Sequence, residues 1–157
     1  MTVEIRNARE TDAEAATDVM RRSITELCAA DHRNDPTILA SWLANKRPEI
    51  LRSWMQNPRQ SYLVALEDGR VVCVGAVTDG GLITLNYVSP DARFRGVSRA
   101  MVAALEQRAR ERGSAVCTLA STATARRFYV SCGYVETGPP DRSFGTESGF
   151  PMSRALV

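Results

Sequence analysis

The sequence predicts an α+β fold: a mostly antiparallel sheet containing one parallel crossover and flanked by helices. Three observations predict it. Apolar residues recur at helical spacing as far as residue 57, three β-branched runs separated by turn signals occupy 61–88, and one strand–helix–strand passage follows between 82 and 119.

Val3 and Ile5 alternate with polar neighbours and mark a short first strand. Thr11 and Glu14 have capping-box spacing, and Ala13, Ala16, Met20, Ile24 and Leu27 continue as the apolar stripe of a helix reaching about Cys28. Asp35-Pro36 reads as an N-cap and first helical residue, ahead of a face made by Ile38, Leu39, Trp42 and Leu43. A further helix starts near Pro48, carries Ile50, Leu51, Trp54 and Met55, and stops at Asn57-Pro58. Runs 61–66 and 71–77 are joined by Glu67-Asp68-Gly69-Arg70, whose Asp-Gly pair signals a hairpin, and Asp79-Gly80-Gly81 turns the chain into a third run over 82–88. Ser89-Pro90 ends that run. A long helix follows Gly96, with Val97, Met101, Leu105 and Ala109 every four residues, and Arg112-Gly113 closes it. After a strand over 115–119, Ser121 or Thr122 caps a helix carrying Ala125, Phe128, Tyr129 and Cys132, which Gly133 ends as a left-handed C-cap. Short strands near 134–136 and 150–156 close the sheet, with a Gly-, Pro- and Ser-rich loop over 138–149 between them.

The 157 residues suit one domain with one sizeable core. A formal charge of +2 gives no general argument for a nucleic-acid or membrane partner, and no stretch approaches the length of a membrane span. Cys28, Cys73, Cys117 and Cys132 lie far apart among apolar neighbours and read as small buried hydrophobes, and the single histidine, His32, excludes a histidine-rich metal site. These features read as a reduced, soluble, cytoplasmic protein. Arg108, Arg110 and Arg112 read as a solvated helix face.

Chemistry concentrates in 86–134. A strand end, an arginine- and glycine-containing turn and a helix N-terminus follow one another directly. The first N–H groups of such a helix lack intrahelical partners and favour an anion such as a diphosphate. Gly96 lets the backbone come close, and Arg93, Arg95 and Arg99 can add charge-assisted hydrogen bonds. The segment lacks the Gly-Lys-Ser/Thr of a nucleotide P-loop and the three glycines of a dinucleotide fingerprint.

Two stretches carry a resemblance. Arg93-x-x-Gly96-x-Ser98 and Ala125-x-x-Phe128-Tyr129-x-x-x-Gly133-Tyr134 resemble the two signature segments of the GNAT N-acetyltransferase superfamily, at that family's spacing. The resemblance implies a GNAT-like three-layer fold with a splayed parallel strand pair. It also implies acetyl-coenzyme A as cosubstrate, no metal, and a primary amine of a small molecule or peptide as acceptor. Residues 1–60 would then form the first strand and acceptor-side helices, 61–136 the cofactor-binding sheet and helices, and 137–157 a closing loop and strand. The backbone of Tyr87 and Val88 would pair with the pantetheine arm. The N–H groups from Arg95 through Val97 to Arg99 would hold the pyrophosphate, with Thr122, Ala125 and Phe128 completing the cofactor site. Tyr129 would protonate the leaving thiolate. The sequence departs from the family pattern at Ser98, where a smaller residue is usual, and at Thr122, where an asparagine is usual. A homodimer is compatible with such folds.

The general base is less legible, because the run 82–88 contains no carboxylate. Candidates lie between the first two helices: Glu26, Asp31, His32 and Asp35, of which His32 has the suitable intrinsic pKa of about 6.5. Asn86 could orient a water. Trp42 and Trp54 read as core residues. A catalytically silent coenzyme A-binding sensor would share every cofactor residue, and a nucleic-acid-binding domain using the arginines is disfavoured by the near-neutral charge.

Overall fold

The structure, a computed structural model, describes residues 2–141 and 149–156. Strands β1 (Val3–Asn7), β2 (Gln60–Glu67), β3 (Arg70–Thr78) and β4 (Ile83–Val88) form one antiparallel sheet in the order β1-β2-β3-β4. Strands β5 (Val116–Ser121), β6 (Val135–Glu136) and β7 (Phe150–Ala155) form a second, in the order β5-β7-β6. The helices are α1 (Ala13–Leu27), α2 (Ala29–His32), α3 (Pro36–Leu43), α4 (Pro48–Met55), α5 (Val97–Glu111) and α6 (Arg126–Ser131). None of them is long and apolar enough to cross a membrane.

The two sheets touch through a single parallel bridge, Leu82 to Thr118, where the Thr118 N–H donates to Gly81 O at 2.9 Å. A Cβ on Gly81 would lie 2.2 Å from Val116 O, and its φ is +90°. Glycine alone therefore allows this close approach. Beyond the bridge β4 and β5 form no ladder among the described residues, so the expected parallel pair is splayed.

Strand β3 is buried on both faces, which is why its sequence runs almost continuously apolar. Cys73 and Val77 face α5, where Met101 and Leu105 are fully buried, and Gly75 leaves room for the Met101 side chain. Val74 and Ala76 face the other way, onto Ala13, Ala16 and Met20 of α1 and Leu51 of α4. Helices thus cover both faces. Truncating Met101 or Leu105 to alanine would cost about 2–5 kcal/mol. The β2–β3 hairpin turns through Asp68 and Gly69, both left-handed, as the Asp-Gly signal requires. Glu106 of α5 is buried yet satisfied: Tyr134 Oη donates to it at 2.8 Å and Arg154 Nη1 at 2.7 Å, clasping α5 to the β7 half.

Two local expectations change. The Thr11–Glu14 capping box does not form; the Asp12 carboxylate instead accepts the Arg9 N–H at 2.7 Å, and Glu14 pairs with Arg52. Helix α6 begins only at Arg126, because Thr122 Oγ1 accepts the Ala125 N–H and closes a turn ahead of the helix. The arginine face stays exposed at Arg110 and Arg112 but gains partners: Arg108 donates to Asn7 Oδ1 at 2.7 Å and Arg110 to Leu156 O at 3.1 Å. Of the loop expected over 138–149, residues 142–148 lie outside the described residues.

Candidate active site

Because β4 and β5 diverge from the Leu82–Thr118 bridge, their C-terminal ends enclose a cavity of about 210 Å³. Strand β4 lines it from Ile83 to Val88, β5 and the following turn line it from Leu119 to Thr122, and α1 adds Ser23, Leu27 and Cys28. Arg93, Ser98, Ala125, Phe128 and Tyr129 complete the wall. Arg93 is the one charged side chain in this lining among the described residues.

Helix α5 opens at the rim. Its N-cap, Gly96, has φ +78° and no side chain caps the helix. A Cβ on Gly96 would meet nothing within 4 Å, so the space over the first turn is open. The first intrahelical bond from this end is Ala100 N–H to Gly96 O, leaving the N–H groups of Val97, Ser98 and Arg99 for another acceptor. Fifteen residues of helix place the positive end of its dipole there. The expected arginine cluster separates. Arg93 faces the cavity, whereas Arg95 is drawn to Glu67 on the β2–β3 hairpin and Arg99 donates to Ser131 Oγ at 2.8 Å. Glu67 is largely buried, with a side chain 11% exposed, and competes for Arg95 at the edge of a second cleft of about 880 Å³ on the β1–β2 side. Val97 contributes only backbone, its side chain being buried under the sheet.

Tyr129 is 6% exposed and reaches the cavity between Phe128 and Tyr134, ring to ring. Its hydroxyl accepts the Asn86 Nδ2 amide proton at 3.2 Å, so its own proton remains free to point into the cavity. Burial raises the Tyr129 phenol above its ordinary value and keeps it neutral. Burial also pushes the Tyr87 phenol up to about 12, and its hydroxyl accepts the Trp42 indole N–H at 3.3 Å. The Cys28 thiol is likewise pushed up to about 12 by burial and stays protonated. All four cysteines are free.

The acidic and imidazole groups expected near the acceptor are occupied elsewhere. His32 is fully buried and absent from the cavity lining. Its Nδ1 accepts the Asn34 N–H at 3.0 Å, which places the ring proton on Nε2, 2.8 Å from the Ile24 carbonyl. Both nitrogens are satisfied, so the geometry does not match the expected base. Asp31 is 2% exposed rather than part of an exposed loop, and it accepts Ala123 N–H at 2.7 Å, Thr124 N–H at 3.2 Å and Thr124 Oγ1 at 2.6 Å. Asp35 caps α3 through Thr37 and Ile38, and Glu26 pairs with Arg22 at 2.9 Å. Of the three residues singled out for chemistry, Tyr129 and Asn86 meet and His32 does not. Asp31, as the organiser of the 122–125 turn, carried no signal in the sequence.

The site thus combines an uncapped helix N-terminus, a strand edge without a ladder partner among the described residues, and a buried phenol facing the same cavity. The chain belongs to the GNAT acetyltransferase family, whose acetyltransferase (GNAT) domain model matches residues 18–156. No curated protein matches it in sequence. Solved structures share the fold. A GCN5-related N-acetyltransferase from Rhodopseudomonas palustris is 23% identical with a TM-score of 0.87, covering 99% of this chain and 96% of its own. PaiA N-acetyltransferase from Thermoplasma acidophilum, in complex with coenzyme A, is 19% identical with a TM-score of 0.84, covering 99% of each. The yncA protein of Salmonella typhimurium, with acetyl-CoA, is 20% identical with a TM-score of 0.70, covering 100% of this chain and 95% of its own. The family assignment makes the protein an acyltransferase, and two of these neighbours hold coenzyme A or acetyl-CoA. The open space over Gly96, the uncapped α5 N-terminus and the free β4 edge fit that group.

Proposed function

We propose that this protein transfers the acetyl group of acetyl-coenzyme A to a primary amine of a small molecule or peptide, with Tyr129 as the proton donor to sulfur. The thioester supplies an activated acyl carbon; the protein's residues position it and manage one proton. The N–H groups of Val97, Ser98 and Arg99, with the Arg93 side chain, hold the diphosphate, and the Tyr87–Val88 edge of β4 offers backbone pairing to the pantetheine amides. Asn86 fixes the Tyr129 hydroxyl so that its proton faces the cavity. As the C–N bond forms and the C–S bond breaks, Tyr129 gives that proton to the departing sulfur, and the proton the amine releases passes through solvent to restore the phenol. A free thiol has a pKa of about 8.5. The phenol is the weaker acid of the two, so it stays protonated in the resting site, and its donation to sulfur is completed only as the amine's proton replaces the one it gives.

The observation that carries the reading is the Asn86–Tyr129 hydrogen bond at 3.2 Å inside the cavity between β4 and β5. A screen of amines with acetyl-coenzyme A, following thiol release, tests it. Tyr129→Phe is expected to lower kcat by about 100-fold with coenzyme A affinity within twofold of wild type. An unchanged kcat would return Tyr129 to a packing role.

A further inference from the structure

The loop between the 3₁₀ turn at Pro90–Ala92 and α5 holds an aromatic side chain that packing does not explain. Phe94 has φ +63°, in the left-handed region that a bulky residue avoids. Its side chain is 91% exposed, against 63% for Val135 and 55% for Val130, the next two exposed large hydrophobics among the described residues. A strained backbone thus presents a flat apolar ring to water, two positions ahead of the Gly96 N-cap. Backbone strain persists where a function maintains it. The Arg93 guanidinium carbon lies 4.5 Å from the ring's centroid, its ring contact among the described residues. Arg93 also lines the cavity, and the Phe94 ring beside it lies outside that lining, next in the chain to a cavity residue and two positions ahead of the α5 N-cap. Beyond its diphosphate coenzyme A carries an adenosine. A purine base is a planar π-system, and an exposed aromatic ring backed by a guanidinium is a platform for it.

We propose that Phe94 forms the adenine subsite of coenzyme A, with the base stacking on its exposed ring. The proposal rests on the cofactor reading and adds a residue that neither signature segment specifies. Phe94 contributes affinity for the nucleotide end and leaves the pantetheine end untouched.

The test titrates wild type, Phe94→Ala, Phe94→Gly and Phe94→Tyr with coenzyme A and with 4′-phosphopantetheine, which lacks the 3′-phosphoadenosine and one phosphate of the diphosphate, by calorimetry or competitive displacement. Alanine and glycine are expected to weaken coenzyme A by roughly 5- to 150-fold and to leave 4′-phosphopantetheine within twofold, while tyrosine keeps both. Glycine relieves the left-handed strain, so the melting temperature of free Phe94→Gly should not fall, which separates lost stacking from lost folding. Unchanged coenzyme A affinity in the alanine and glycine variants overturns the proposal. So does an equal loss for 4′-phosphopantetheine, because the residue would then act through the loop. Wild-type protein that binds neither ligand would overturn the cofactor reading itself, a different result from either of these.

Discussion

The cavity between β4 and β5 separates two regions that use their polar groups in opposite ways. On the α5 side, the free polar groups are backbone: uncapped N–H groups at Val97–Arg99, an open strand edge, and a glycine held at φ +78°. On the α1–α3 side, the polar side chains that look catalytic are absorbed by the fold. His32 ties α2 to Ile24 and Asn34, Asp35 caps α3, and Asp31 holds the turn before α6. The difference teaches that a free backbone donor points to a ligand more reliably than an acidic residue near a pocket, since a side chain can always be claimed by a distant N–H.

The largest expected effect breaks the backbone side of this comparison. Gly96→Glu adds a carboxylate where the proposed function puts the diphosphate, and coenzyme A affinity should fall 1,000-fold or more, about 4 kcal/mol. Gly96→Ala is the sharper control. Its Cβ enters open space, so the variant should lose about 1–2 kcal/mol of stability from the left-handed conformation while still binding coenzyme A measurably. Calorimetry and denaturant unfolding of the two variants check both statements. Normal coenzyme A affinity in Gly96→Glu would mean that the α5 N-terminus is not the anion site.

On the other side, Asp31→Ala removes an acceptor from two N–H groups and one hydroxyl at once. Losing the three hydrogen bonds that this buried carboxylate gathers should destabilise the protein by about 1–3 kcal/mol in denaturant unfolding. Coenzyme A affinity should fall too, because the 122–125 turn places Thr122 and Ala125 against the cavity. A variant with full stability and impaired acceptor turnover alone would move Asp31 from scaffold to chemistry and weaken the contrast.

The same contrast explains what the sequence made legible. Strand and helix order followed from apolar period, and the uncapped α5 N-terminus followed from Gly96 at a helix start, because these are local signals. Tyr129 and Asn86 lie 43 positions apart, and a motif and a strand end were enough to nominate each of them. Asp31 and Ala123 are 92 positions apart, and nothing local announces that pairing. His32 misled because its intrinsic pKa is a property of the free imidazole, whereas two backbone partners fix its tautomer in the fold. Arg95 misled in the same way, since Glu67 arrives from a hairpin 28 positions earlier. The left-handed conformation of Phe94 is invisible in composition, because a phenylalanine gives no hint of a positive φ.

The smallest effect sharpens the comparison through pH. Lys46, the one lysine in the sequence, is 7% exposed at the end of the α3 region. Its Nζ donates to Asn45 Oδ1 at 2.7 Å and to Trp42 O at 3.4 Å, both neutral acceptors. Burial pushes its ammonium down to about 8. Below pH 8 the amine is charged in both states, and the folded protein carries the full penalty of burying it. Between pH 8 and the unfolded value of about 10.4, the unfolded chain holds the proton and the folded one releases it, so this contribution to stability rises with pH. Lys46→Met should therefore be more stable than wild type at pH 7 by about 1–3 kcal/mol, a few degrees or more in Tm, and the gap should shrink as pH approaches 10. A gap that stays constant from pH 7 to 10 would show that packing, not charge, separates the two proteins. Acceptor turnover lost in Lys46→Met without the stability gain would place a working side chain on the α1–α3 side.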